Sequence, residues 1–121
     1  MTKTILIVED NDLNLNFFVD LLQAHGYHTL KNKDGLKVVA IVEEYCPDLI
    51  LMDIKLPNIS GFEIVRMIKS LNKMKDIPII AVTALAMKGD EKNIIECGFD
   101  GSVSKPMSVN HLLKTIRHFL E

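Results

Sequence analysis

No apolar stretch in these 121 residues approaches the roughly 20 needed to cross a bilayer, and the N-terminus lacks a signal-peptide pattern. A membrane partner is therefore not expected, and a cytoplasmic location is. Positive charge is not in excess. Lys and Arg total 14 against 16 Asp and Glu, a formal net charge of -2, so nothing favours nucleic acid as a partner. Cysteine is scarce. Cys46 and Cys97 lie far apart and lack metal-ligand spacing, so they read as two buried free thiols in a reducing compartment rather than as a disulfide. Internal repeats, linkers and low-complexity segments are absent. The chain reads as one domain over 1–121, long enough for a real core.

What is present alternates between strand and helix signals. Ile5 to Val8, Leu49 to Met52 and Ile79 to Val82 are unbroken apolar runs of strand length. Runs of this kind suit strands buried on both faces, the parallel-sheet case. Tyr27 to Leu30 and Gly101 to Ser104 are shorter and mixed, as edge strands are. Between them lie apolar stripes at helical spacing. These are Leu15, Phe18, Val19 and Leu22; Val38, Ile41, Val42 and Tyr45; Ile64, Met67, Ile68 and Leu71; and Val109, Leu112, Leu113 and Ile116. A weaker helix is predicted over 87–96. Gly26 and Gly98 stand where helices should stop, and Asp34-Gly35 is a turn signal. Ser60 and Glu63 form a capping-box start, and Ser108 can cap the last helix.

Five strand-helix units predict an α/β fold with a doubly wound, five-stranded parallel sheet. Interior first, third and fourth strands with edge second and fifth strands give the order 2-1-3-4-5, the flavodoxin-like arrangement. Ligands bind such sheets outside the carboxyl ends of the strands, where the winding reverses. Five polar residues converge there. Glu9 and Asp10 end the first strand, Asp53 the third, Thr83 the fourth and Lys105 the fifth.

Three carboxylates packed together repel, and a hard divalent cation relieves the repulsion. Oxygen ligands without His or Cys favour Mg2+, which leaves room for phosphate oxygens. A carboxylate such as Asp53 is also a nucleophile toward a phosphoryl group. Lys105 can supply positive charge and Thr83 a hydroxyl donor.

These pieces resemble the receiver domain of two-component response regulators. The resemblance is carried by ILIVEDN at 5–11, DLILMDIKLPNISG at 48–61, AVTALA at 81–86 and SKP at 104–106. It implies that Asp53 accepts phosphate from a histidine kinase or a histidine phosphotransfer protein. It also implies an Mg2+ site built by Glu9, Asp10, Asp53 and the backbone carbonyl of Lys55. Thr83, Ala84 and Lys105 would contact the phosphoryl group and carry the switch, and the Lys105-Pro106 bond would be cis. Such a protein is a monomeric signalling protein rather than an enzyme in its own right, though able to catalyse its own phosphotransfer and dephosphorylation. The absence of an output domain, with AMKGDE at 86–91, further resembles stand-alone receivers of cell-division control. Output would then pass to a downstream protein through the helix at 87–96, the fifth strand and the last helix. One position departs from the family. Ser102 stands where an aromatic side chain is usual, three residues before the strand-five lysine.

Other classes fit less well. A hydrolase using Asp53 needs a second acid nearby, and position 55 is Lys55. A flavin or nucleotide module needs a glycine-rich loop after the first strand, where EDND stands. A degenerate receiver acting only as a docking module is opposed by the intact pocket and kept open by Ser102.

Overall fold

The three uninterrupted apolar runs become the interior of a sheet. The computed structural model describes residues 2–83, 93–104 and 108–121. Its strands are β1 (Thr4–Val8), β2 (His28–Asn32), β3 (Leu49–Asp53), β4 (Ile79–Thr83) and β5 (Gly101–Ser104), in the order β2-β1-β3-β4-β5. Every pairing is parallel. All of β3 and β4 and the last four residues of β1 are buried, whereas no residue of β2 and only Val103 of β5 is. An interior strand covered on both faces leaves no room for solvated side chains, and an edge strand does.

Helices cover both faces. They are α1 (Asp12–Ala24), α2 (Val38–Tyr45), α3 (Gly61–Lys69), α4, described over 93–96, and α5 (Val109–Leu120). Leu15, Phe18 and Leu22 of α1 and Leu112, Leu113 and Ile116 of α5 pack on Ile5, Ile7, Leu51, Ile80 and Val82. The alternate side chains, Leu6, Val8, Ile50, Met52 and Ala81, meet Val42 of α2, Ile64, Val65 and Ile68 of α3, and Ile94 of α4. Each fully buried aliphatic side chain contributes about 1.5–3 kcal/mol.

The predicted stripes need small rotations. Tyr45, Met67 and Val109 are exposed, and in α3 Val65 is fully buried in place of Met67. In α3 the sheet is met by positions 64, 65 and 68, so the buried face is turned by one residue from the predicted one. Strand β2 begins at His28 rather than Tyr27. The cysteines also differ from expectation. Both are free, but Cys46 is exposed and Cys97 half-buried. Cys46 ends α2 in the left-handed conformation, φ 46°, just before Pro47, which places it at the surface rather than in the core. Of the helix predicted over 87–96, the part at 87–92 lies outside the described residues.

Helix ends follow local chemistry. The Asn11 side chain accepts from Asn14 N at 3.0 Å and starts α1. At its other end Tyr27 N donates to Leu22 O and Gly26 N to Gln23 O, with Gly26 at φ 88°. The same paired bonds, Phe99 N to Ile94 O and Gly98 N to Ile95 O, close α4 around Gly98 at φ 115°. This is the Schellman arrangement, which glycine enters without steric cost.

Two aspartates fasten the amino-terminal edge of the sheet. Asp48 accepts from Thr4 N through Oδ2 and donates its own N–H to Thr4 O, both at 2.8 Å. Asp100 repeats the device on Ile79, again with both bonds at 2.8 Å. Among the described residues, no helix is long and apolar enough to cross a membrane.

Candidate functional site

The register of the sheet decides which residues meet at its carboxyl edge. Val8 pairs with Met52, so the next residues, Glu9 and Asp53, emerge side by side. Asp53 pairs with Val82, so Thr83 ends β4 one residue beyond it. Thr83 pairs with Ser104, the last residue of β5. Glu9 N donates to Asn32 O at 3.0 Å, which carries the β1–β2 ladder one step past the strand.

Glu9, Asp10 and Asp53 each present a carboxylate oxygen within 4.8 Å of the others. Glu9 and Asp53 are 1% and 7% exposed, while Asp10 lies on the exposed rim. Asp53 Oδ1 accepts from Lys55 N at 3.1 Å, and Glu9 Oε2 accepts from Asn11 N at 3.5 Å. The first bond brings the backbone of residue 55 against the pocket while the Lys55 side chain stays exposed. Thr83 is buried at the strand end.

Of the residues expected here, the structure brings together Glu9, Asp10, Asp53 and the Lys55 backbone, with Thr83 on the neighbouring strand end. Ala84, Lys105 and Pro106 lie outside the described residues. Ser102 is half-buried on β5 and pairs with Ala81, two residues before Thr83. Phe99 precedes the strand, buried edge-on against Phe62 with ring centroids 6.1 Å apart. It belongs to the core beneath α3 and α4.

Two glycine contacts were not foreseen. Gly61 N donates to Ile54 O at 2.9 Å, seating the start of α3 on the end of β3. A Cβ on Gly35, at φ 80°, would lie within 3.0 Å of side-chain atoms of Ile59, Ile64 and Leu56, so the β2–α2 turn is keyed into the loop after Asp53. Sequence marks Gly35 as a turn residue and carries no signal for these long-range approaches.

Among the described residues the cluster is an all-oxygen donor set, three carboxylates with no histidine or cysteine beside them. It fits a hard divalent cation, Mg2+ above zinc.

An acidic pocket thus sits at the switch point of a doubly wound 2-1-3-4-5 sheet. The chain belongs to the response regulator receiver domain family, which matches residues 5–117, and so to two-component signalling. It is 48% identical to the polar-differentiation response regulator DivK of Brucella ovis over 120 residues, 99% of this chain and 98% of that one. The receiver domain of a sensor histidine kinase from Pseudomonas aeruginosa, solved with magnesium coordinated in its active-site cleft, superposes with a TM-score of 0.90. It shares 32% identity, over 99% of this chain and 98% of that one. A chemotaxis response regulator of Vibrio cholerae gives a TM-score of 0.92 at 26% identity, covering 99% and 100% of the two chains.

Proposed function

We propose that this receiver is an Mg2+-dependent phosphoacceptor switch in which Asp53 is the residue phosphorylated. The observation that carries the reading is the set of three carboxylates within 4.8 Å at the end of the central strand. Asp53 would attack the phosphorus of a phosphohistidine on a histidine kinase or phosphotransfer protein. An O–P bond forms on the aspartate, the P–N bond breaks, and its electron pair returns to the imidazole. Glu9, Asp10, Asp53 and the Lys55 carbonyl are the groups that would hold Mg2+, which supplies charge neutralisation for the phosphate oxygens. The Lys55 N–H fixes one Asp53 oxygen and so orients the carboxylate. Thr83, Ala84 and Lys105 are assigned to the phosphoryl contact, with a cis bond proposed between Lys105 and Pro106. Positioning and charge compensation make up most of the catalysis of phosphoryl transfer.

In this reading the receiver acts as a cytoplasmic monomer. It signals by protein contact through α4, β5 and α5, and its likeness to DivK supports a role in polar differentiation or cell division. Ser102 leaves this face without an aromatic switch residue. The test is to incubate wild type and Asp53→Asn with the phosphorylated histidine kinases of the source cell. Transfer to wild type alone is expected, and equal labelling of both proteins would overturn the assignment.

A further inference from the structure

Gly61 is a glycine for space and not for conformation. Its φ is not in the positive range that Gly26, Gly35 and Gly98 occupy. It is the first residue of α3, where alanine is sterically ordinary. Yet a Cβ built there would lie 2.9 Å from the carbonyl oxygen of Asp53, 2.9 Å from Ile54 Cα and 3.3 Å from Ile54 O. All three atoms are backbone, so no side chain can swing aside. The start of α3 and the end of β3 touch backbone to backbone at a position that has no side chain.

We infer that Gly61 is a positioning residue for the metal site, holding the end of β3 at the height at which the Asp53 carboxylate meets Glu9 and Asp10. This rests on the proposed Mg2+ switch and deepens it. The helix side of the contact is stiff. Ile64, Val65 and Ile68 of α3 are fully buried, and the Ser60 hydroxyl caps the helix by accepting from Phe62 N at 3.2 Å. The strand side is looser at this point. The bond from Ile54 N to Val82 O is 3.4 Å, against 2.9 Å from Gly61 N to Ile54 O. Added bulk at Gly61 therefore displaces residues 53–55, which carry both the Asp53 carboxylate and the Lys55 N–H bonded to it.

Such a shift discriminates between cations. Mg2+ demands near-ideal octahedral geometry at about 2.0–2.1 Å, whereas Ca2+ accepts roughly 6–8 oxygens at 2.3–2.6 Å in flexible arrangements. A displacement of a few tenths of an ångström injures the first far more than the second. A simple loss of stability would not change the ratio.

The experiment is an amide-resonance titration of the intact protein with Mg2+ and, separately, with Ca2+. Gly61→Ala should lower Mg2+ affinity about tenfold, the scale seen when groups orienting metal ligands are altered. Ca2+ affinity should fall by less than about threefold. Gly26→Ala is the control, since its φ of 88° strains alanine while nothing lies within 4 Å of the added carbon. It should lose stability and keep the wild-type ratio. Ser60→Ala, which loosens the same turn without adding an atom, serves if Gly61→Ala does not fold, and should shift the ratio the same way by a smaller factor. Equal losses for the two cations, or the same ratio change in Gly26→Ala, would overturn the positioning role. Wild-type Mg2+ binding that persists unchanged in Asp53→Asn would instead overturn the metal site itself, and this inference with it.

Discussion

Lys69 and Asp100, 31 residues apart in sequence, meet with Nζ and Oδ2 separated by 2.9 Å. The same ammonium donates to the carbonyls of Lys75 and Ile77, each at 3.0 Å. One side chain at the end of α3 thus ties down the 70–78 connection and the start of β5. Hydrogen bonds to charged groups contribute about 1.5–3 kcal/mol each when buried. Solvent reaches this pair, so a smaller effect is expected. Lys69→Met should destabilise the protein by about 1–2 kcal/mol. That is a fall in Tm of roughly 5 °C for a domain of this size. A double-mutant cycle with Asp100→Asn, read by thermal unfolding, should give a coupling of about 1 kcal/mol. A coupling near zero would reduce Lys69 to an ordinary surface charge.

With Mg2+ and a small acyl-phosphate donor, the protein should take up a single phosphoryl group on Asp53. Mass spectrometry of the trapped adduct locates it. Asp53→Asn should not be labelled. A label on any other residue would move the site away from the end of β3.

Asp10→Asn should lower Mg2+ affinity by at least about tenfold, because it removes a ligand rather than a group that orients one. Without metal the variant should be as stable as wild type or more so, by about 1 kcal/mol, since one of three repelling charges is gone. Glu9→Gln should act with the same sign. Unchanged metal affinity in Asp10→Asn would remove that residue from the site.

Ser102 is too small to fill or vacate a ring-sized pocket, so phosphorylation should be read mainly through Thr83 and the chain that follows it. A switch gains bias only from contacts that differ between its two states. Ser102→Tyr should therefore widen the affinity difference for a downstream partner between phosphorylated and unphosphorylated protein. Thr83→Ala should narrow it while Asp53 remains labelled. Partner binding measured in the three proteins decides the matter, and equal ratios for wild type and Thr83→Ala would show that output bypasses this threonine.

Much of this molecule was legible in its sequence because its strands differ so sharply in composition. Leu49 to Met52 has no polar residue, which only an interior parallel strand tolerates, and the strand order followed from that contrast. Glu9 and Asp53 were legible because each directly follows such a run, and Asp10 because it comes next after Glu9. Periodicity resolved α3 less well. Apolar residues at 64, 65, 67 and 68 permit two neighbouring faces, and only the sheet chose between Val65 and Met67. The contacts of Gly35 and Gly61 left no local trace, because each depends on a segment brought near by the fold rather than by the chain. Lys69 was unreadable for the same reason, with its carboxylate partner lying beyond another strand.

The two edges of the sheet use their carboxylates differently. At the amino-terminal edge Asp48 and Asp100 are spent on backbone N–H groups and clip neighbouring strands together. At the carboxyl edge Glu9, Asp10 and Asp53 face one another. The strands are thus anchored from behind, at a distance from the acidic cluster. A designer could strip the acids from the front one at a time, or replace them with a different donor set, and still find the strands in register. The architecture separates a chassis from a cartridge.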